Sequence, residues 1–281
     1  MFLSDIKSDF HSRLRFLYPP QEINAIFNLA IEFLLSYSKM QIHQNLSRNI
    51  SGPKETEMLQ ILERLSKAEP IQYVIGYTEF YGLKFAVDKR VLIPRPETEL
   101  LVGMLIRDQS VGDKLQILDI GTGSGCIAIV LSKFLPHSLV TAIDTNYPGL
   151  QLAQSNAELN SVSVTFICDT ILNPTAEYPE FQIMISNPPY VRESEKKYIH
   201  RNILEYEPPD ALYISDVDPL IYYRAIASFA EKYLTTGGRL YLELNENLGA
   251  ETAGIFHDSG FNHVILHNDL NNKCRYLTAQ K

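Results

Sequence analysis

From Pro20 to about Lys39 the apolar residues Ile23, Ile26, Phe27, Ala30, Ile31, Phe33, Leu34 and Tyr37 recur at three- and four-residue spacing, which predicts an amphipathic helix. A second stripe, Met58, Leu59, Ile61, Leu62 and Leu65, follows Pro53, a proline suited to a first helical turn, with Glu55 and Glu57 where the helix dipole favours acids. The first seventy residues therefore read as helical. At Glu69-Pro70 the pattern changes, and Tyr73-Val74-Ile75-Gly76, Phe80-Tyr81-Gly82 and Phe85-Ala86-Val87 read as short strands around glycine turns. After Pro94 and Pro96 a helix is expected through residues 97–105. Beyond it short apolar runs, 116–120, 139–144, 164–168, 181–186 and 239–244, alternate with helical patterns. Each run is nearly continuous, as parallel strands covered on both faces must be. The alternation predicts a doubly wound α/β sheet, in which ligands sit at the carboxyl ends of the strands.

The chain has 281 residues, 45% of them apolar and 21% charged, which excludes disordered and fibrous classes and favours two domains over one. With 33 acidic and 25 basic residues the net charge is −8, which argues against a protein whose main task is to grip a phosphate backbone. The three cysteines, Cys126, Cys168 and Cys274, are widely separated and form neither a disulfide framework nor a CxxC metal site, so a reducing compartment fits. Charged residues interrupt the N-terminal segment, and no run reaches the roughly 18 consecutive apolar residues of a membrane span. The expectation is a soluble, cytoplasmic protein without a membrane partner.

Gly121-Thr122-Gly123-Ser124-Gly125 joins the run 116–120 to the apolar segment that starts at Cys126, a strand-to-helix turn where glycine permits a sharp bend and a close backbone approach to a ligand. By itself such a turn is equally a helix cap. It lacks the Gly-Lys-Ser/Thr of a phosphate loop and differs from the GxGxxG of dinucleotide sites. Asp144 ends the next strand roughly 20 residues on, where an acid accepts ribose hydroxyls or closes an Asx-turn in Asp144-Thr145-Asn146. Asp169, followed by Thr170, ends the third strand in the same way. A cofactor with an adenosine and no phosphate, lying over three strand ends, uses all of these features.

The run 181–186 leads straight into Asn187-Pro188-Pro189-Tyr190. Two prolines remove two backbone donors and fix two φ angles, leaving carbonyls with no ladder to join. A lone Pro-Pro reads as a strand terminator. With its neighbours, the Asn carboxamide oxygen and the Pro188 carbonyl make a pair of acceptors for a planar NH2 group, and Tyr190 offers it a flat face. Such an element binds an amide or an exocyclic amine.

These motifs, with Pro70–Gly76 (Pro-Ile-Gln-Tyr-Val-Ile-Gly), Glu79-Phe80-Tyr81-Gly82 and Val91-Leu92-Ile93-Pro94-Arg95-Pro96-Glu97-Thr98-Glu99, make nearly the whole chain resemble the release-factor glutamine methyltransferase (HemK/PrmC) family of class I S-adenosylmethionine-dependent methyltransferases. The resemblance implies a Rossmann-like, doubly wound, seven-stranded, mostly parallel sheet behind a small helical domain. The boundaries expected are 1–69 for a helical substrate-binding domain, 70–90 for a β-hairpin linker and 91–281 for the methyltransferase domain. It implies methyl transfer from S-adenosyl-L-methionine, leaving S-adenosyl-L-homocysteine and needing no metal, to the glutamine N5 of the Gly-Gly-Gln motif in peptide chain release factors, a step of translation termination. It implies Asn187, Pro188 and Tyr190 as catalytic residues, and these with Pro189 as substrate contacts. The cofactor contacts implied are Gly121, Thr122, Gly123, Ser124, Gly125, Asp144, Asp169, Thr170 and Asn187. The expected partner is a release factor, with no stable nucleic acid, and the enzyme is expected to be a monomer.

Departures from the family pattern are Asn245, where a glycine commonly follows Leu242-Glu243-Leu244, Thr170 in place of an aromatic residue, and Asp218-Pro219-Leu220 in place of Asp-Gly-Leu. Arg192, Lys196, Lys197 and Arg201 against Glu193 and Glu195 read either as a solvated loop or as a substrate contact. Arg95 and Glu97 either orient the cofactor region or cap the following helix. His200, His257, His263 and His267 lack metal-ligand spacing. Asn-Pro-Pro-Tyr is shared with adenine-N6 methyltransferases of DNA or RNA, which is the rival enzyme reading. A non-catalytic cofactor-binding adaptor is the rival of another class.

Overall fold

The computed structural model describes residues 1–110, 112 and 114–281. In chain order it contains α1 (Leu3–Leu14), α2 (Pro20–Leu35), α3 (Lys39–Gln44), α4 (Pro53–Ser66) and α5 (Ile71–Ile75), then a hairpin of β1 (Tyr77–Phe80) and β2 (Leu83–Ala86). Next come α6 (Pro96–Arg107), β3 (Gln116–Ile120), α7 (Cys126–Phe134), β4 (Leu139–Asp144), α8 (Tyr147–Leu159), β5 (Thr165–Cys168) and β6 (Phe181–Ser186). After the two-residue β7 (Val191–Arg192) and a 3-10 helix (Glu193–Tyr198) follow α9 (Arg201–Tyr206), β8 (Tyr213–Ile214), α10 (Ile221–Tyr233), β9 (Leu234–Glu243), α11 (Gly249–Asp258), β10 (Asn262–Asn268) and β11 (Cys274–Gln280). The chain divides into two compact units, one of residues 1–77 and 200–206, the other of residues 78–199 and 207–281.

The helical unit packs its stripes on one core that includes Leu3, Ile6, Phe10, Phe27, Ile31, Met58, Leu62 and Leu65, with Phe10 and Phe27 edge to face at 5.4 Å. Helix α2 ends at Leu35, short of the expected Lys39, because Ser36 turns left-handed and its N–H bonds to Glu32. The stretch Tyr73-Val74-Ile75, expected to be extended, is helical. Pro70 starts its turn, the left-handed Gly76 closes it, and Ile71, Val74 and Ile75 complete the helical core, so burial overrides β-propensity. Residues 200–206 join this unit: His200 lies against the Tyr18 ring and bonds the Leu17 carbonyl, and the Tyr206 hydroxyl donates to the Lys67 carbonyl.

The larger unit is a seven-stranded sheet in the order β10-β11-β9-β6-β3-β4-β5, parallel except at β11, which pairs antiparallel with both β9 and β10. Strands β3, β4, β5, β6 and β9 correspond to the five apolar runs, while the polar edge hairpin β10–β11 was not marked by any run. Alternation along the strands feeds two cores. Ile117, Val140, Ile183 and Ile185 face α6 and α7; Leu118, Ile120, Ile143, Met184, Leu240 and Leu242 face α10 and α11. Winding proceeds from β3 to β4 and β5 on one side, then reverses to β6 and β9 on the other. The carboxyl ends of β3 and β6 are thereby neighbours, with Ile120 opposite Ser186 and the Ser186 hydroxyl donating to the Ile120 carbonyl. That is the switch point where ligands bind in such sheets. Among the described residues no helix is long and apolar enough to cross a membrane.

Phe27 is fully buried at the centre of the helical core. Replacing it by Ala is expected to cost about 3–5 kcal/mol, to be read from urea denaturation followed by circular dichroism.

Candidate active site

The glycine turn follows β3 directly. The N–H groups of Gly121 and Thr122 bond the Ile143 carbonyl of β4, and Gly125 bonds back to Thr122, so the turn is held to the sheet by its own backbone. Gly121 and Gly123 have φ of +75° and +55°, and a side chain on either would enter open space. Gly125, at +81°, is different: a Cβ there would meet Ala153 Cβ and Ile129 Cδ1 at 3.0 Å, so it is required for packing of the turn against α8. The Thr122 and Ser124 side chains point inward and are buried. Thr122 donates to Asp119 Oδ2 at 2.6 Å, which also receives the Ala128 N–H at 3.2 Å. Asn156 of α8 donates to the Ser124 carbonyl and exchanges two bonds with Ala86, tying the turn to β2.

Asp144 realises the Asx-turn reading of its sequence position and also braces the glycine turn. Its Oδ1 takes the Asn146 N–H in an Asx-turn, and its Oδ2 takes the Gly123 N–H at 2.8 Å, so the carboxylate braces the glycine turn beside the open side. Burial raises its pKa, against the pull of those N–H donors. Asp169, at the end of β5, is bonded by its own loop. Its two oxygens accept the Thr170, Thr175 and Ala176 N–H groups and the Thr175 and Tyr178 hydroxyls. Burial works against ionisation, but these donors win and hold the carboxyl at about 2. These bonds make Asp169 the organiser of the loop that carries Thr170.

At the neighbouring strand end, Asn187 donates its Nδ2 to Thr98 Oγ1 at 3.1 Å. The Thr98 hydroxyl donates to Glu243 Oε2 at 2.7 Å, and the Tyr190 hydroxyl donates to Glu243 Oε1 at 2.9 Å. Glu243 is 1% exposed, and burial pushes its pKa up. Burial and the adjacent Glu243 carboxylate keep the Tyr190 phenol protonated far above neutral pH. Among the described residues neither Asn187 Oδ1 nor the Pro188 carbonyl receives a hydrogen bond. Two acceptors are therefore left open at the strand end, next to the glycine turn.

Neither Thr98 nor Glu243 was expected at the site, although Thr98 lies inside Arg-Pro-Glu-Thr-Glu and a lone acid in the apolar strand Leu240–Leu244 (Leu-Tyr-Leu-Glu-Leu) marks a buried polar partnership. Asn245 lies on the Tyr190 side of the site, its Nδ2 donating to the Tyr190 carbonyl and Glu195. Arg95 pairs with the buried Glu207, which also accepts the Ile93 N–H, so Arg95 fastens the segment before α6. The charges after Tyr190 largely neutralise one another through Arg192–Glu195, Lys196–Glu193 and Arg201–Glu205. A groove of about 590 Å3 beside Tyr190 is lined by Arg192, Lys197, Tyr198, Asn245 and Arg275.

Known proteins match this arrangement. The family model described as PrmC N-terminal domain matches residues 12–76, and that described as Methyltransferase small domain matches residues 96–209. A release factor glutamine methyltransferase of Flavobacterium psychrophilum is 40% identical over 273 residues, covering 96% of both chains. The chain belongs to the release factor glutamine methyltransferase family. A second member of that family, from Bacteroides thetaiotaomicron, is 39% identical over 95% of this chain and 96% of its own. The solved structure of a methyltransferase from Pyrococcus furiosus shares the fold, with a TM-score of 0.52 at 18% identity over 81% of this chain and 98% of that one.

Gly123→Ala is expected to weaken binding of S-adenosylmethionine at least about tenfold by isothermal calorimetry, since its side chain would occupy the open cradle, with a smaller loss of stability than Gly125→Ala. Gly125→Ala combines left-handed strain of about 1–2 kcal/mol with a clash, and should lower Tm most.

Burial lifts the Asp119 carboxyl to about 7, against the donors Thr122 and Ala128 and with the help of nearby Asp144. A carboxyl raised on folding stabilises the protein at low pH, and that contribution is lost as pH rises from about 4 through about 7. Asp119→Asn should therefore have the higher Tm at pH 8, by a few degrees, with the advantage vanishing near pH 4 in differential scanning calorimetry.

Proposed function

We propose that this protein transfers a methyl group to the side-chain amide nitrogen of the glutamine in the Gly-Gly-Gln motif of peptide chain release factors. The observation that carries the reading is the pair of open acceptors, Asn187 Oδ1 and the Pro188 carbonyl, beside a glycine turn at the switch point of the sheet. An amide NH2 has two N–H bonds to give and a planar face to rest on Tyr190, so this element suits it in both number and shape.

The donor group fits the neighbouring cradle: the Gly121 and Gly123 backbone is open on the ligand side, and Asp144, which keeps acceptor capacity beyond its two N–H bonds, stands next to it. Gly121, Gly123, Asp144 and the Thr170 backbone would hold S-adenosylmethionine, whose sulfonium methyl is the electrophile and which leaves as S-adenosylhomocysteine. The chain's own part is to prepare the amide. An amide nitrogen is a weak nucleophile because its lone pair is delocalised into the carbonyl. Acceptance of both N–H bonds by Asn187 and Pro188 puts electron density back on nitrogen and fixes its direction, which is where orientation and preorganised dipoles lower a barrier most. One amide proton departs to water once the N–CH3 bond has formed, so no basic side chain is needed.

The groove beside Tyr190 is the place for the polypeptide on either side of the glutamine, and the buried Arg192 Nε–H, which has no hydrogen-bond acceptor among the described residues, suits one of its main-chain carbonyls. The helical unit, with its own core, serves recognition of the release factor. A net charge of −8 favours a protein substrate over duplex nucleic acid.

Incubation with methyl-labelled S-adenosylmethionine and either an unmodified release factor or duplex DNA tests the proposal. Label is expected on the Gly-Gly-Gln glutamine, and label found only in DNA would overturn it. Asn187→Ala should lower kcat at least about 100-fold, with a much smaller effect on cofactor affinity.

A further inference from the structure

We infer that Thr98 and Glu243 are positioning residues that set which end of the Asn187 carboxamide faces the substrate, and thereby make the site select an amide over a carboxylate. The inference rests on the glutamine reading above and names the groups that enforce it.

A threonine hydroxyl has a single proton. Here it goes to Glu243 Oε2, so the side of Thr98 Oγ1 that meets Asn187 carries only lone pairs. Asn187 must answer with its NH2. A flipped carboxamide would set Oδ1 against Oγ1, acceptor against acceptor, and forfeit the bond in a part-buried setting, where an unmade hydrogen bond is costly. The other end of the carboxamide is thereby fixed as an acceptor. Together with the Pro188 carbonyl it presents two oxygens and no donor, an arrangement that matches an NH2 group and repels a carboxylate.

The chain of constraint starts in Glu243, which is buried and has both oxygens assigned, Oε2 to Thr98 and Oε1 to the Tyr190 hydroxyl. The same carboxylate thus aims the carboxamide and pins the tyrosine that flanks it. Each member sits on a rigid element: Thr98 in the first turn of α6, Glu243 as the last residue of β9, and Asn187 immediately after β6. Neither Thr98 nor Glu243 has to touch substrate to act.

The test compares the wild-type protein with Thr98→Val, which keeps the shape and removes the hydroxyl, and Thr98→Ser, which restores it. Each is assayed with a release factor and with the same release factor carrying glutamate in place of the Gly-Gly-Gln glutamine. For Thr98→Val the expected result is a fall in kcat of about 100-fold and a fall of about tenfold or more in the affinity ratio between the glutamine and glutamate proteins, with cofactor affinity unchanged. Thr98→Ser should recover most of both. Loss of selectivity is a readout that mere loosening of the fold would not produce. Unchanged kcat and unchanged selectivity in Thr98→Val, or a Thr98→Ser variant as impaired as the valine one, overturns the positioning role. Should Thr98→Val not fold, Glu243→Gln, of the same shape with only one acceptor oxygen, is read by the same two measurements: a fall in both supports the role, and no change overturns it. A wild-type protein that leaves the release factor unlabelled overturns the glutamine reading itself, and this inference with it.

Discussion

Parallel pairing of β3 with β4 on one side and β6 on the other is the constraint on which the rest of this protein depends. The chain leaves β3 through a glycine turn, and the same ladder places the end of β6 beside it, with Ile120 and Ser186 in register. Parallel strands need crossover helices, and those helices cover both faces, which leaves the carboxyl ends of the central strands as the place for a ligand. The glycine turn and the Asn-Pro-Pro-Tyr element, separate in sequence, become neighbours for that reason.

Around this junction the buried acids act as fixed anchors. Asp119 holds the start of α7 and the Thr122 hydroxyl, Asp169 gathers the loop 170–178, Glu207 takes the Ile93 N–H and Arg95, and Glu243 takes two hydroxyls. Taking a carboxylate out of water is costly; at Asp169 the donors outweigh that cost, whereas at Asp119 and Glu243 burial still raises the pKa. The result is precision of placement. Asp144 combines an Asx-turn with bracing of the glycine turn.

Much of this was legible along the chain. The five apolar runs announced strands β3, β4, β5, β6 and β9, the three- and four-residue stripes announced α2 and α4, and Pro96 announced the start of α6. The short helix α5 was not legible, because Tyr73-Val74-Ile75 has extended propensity and is turned helical by the burial it completes. The β10–β11 hairpin escaped because its outer strand is largely exposed and its apolar stretch, Val264-Ile265-Leu266, is short and flanked by polar residues. The attachment of residues 200–206 to the helical unit is a contact across long stretches of chain, invisible to any local pattern.

At the site the division follows the same physics. Gly121, Gly123, Asn187, Pro188 and Tyr190 could be picked out from the sequence, because tight turns, fixed φ angles and planar acceptors are properties of individual residues and their immediate neighbours. Glycine freedom, proline rigidity and strand periodicity are local, and they determined the fold class and the chemistry that the strand ends can offer. Only the tertiary structure decided that Asp169 is bonded by its own loop, that Asn245 supports Tyr190, and that Thr98 and Glu243 meet Asn187. Hydrogen-bond partnership between side chains depends on which groups the sheet order brings within about 3 Å, and that is a property of the folded chain rather than of any stretch of it.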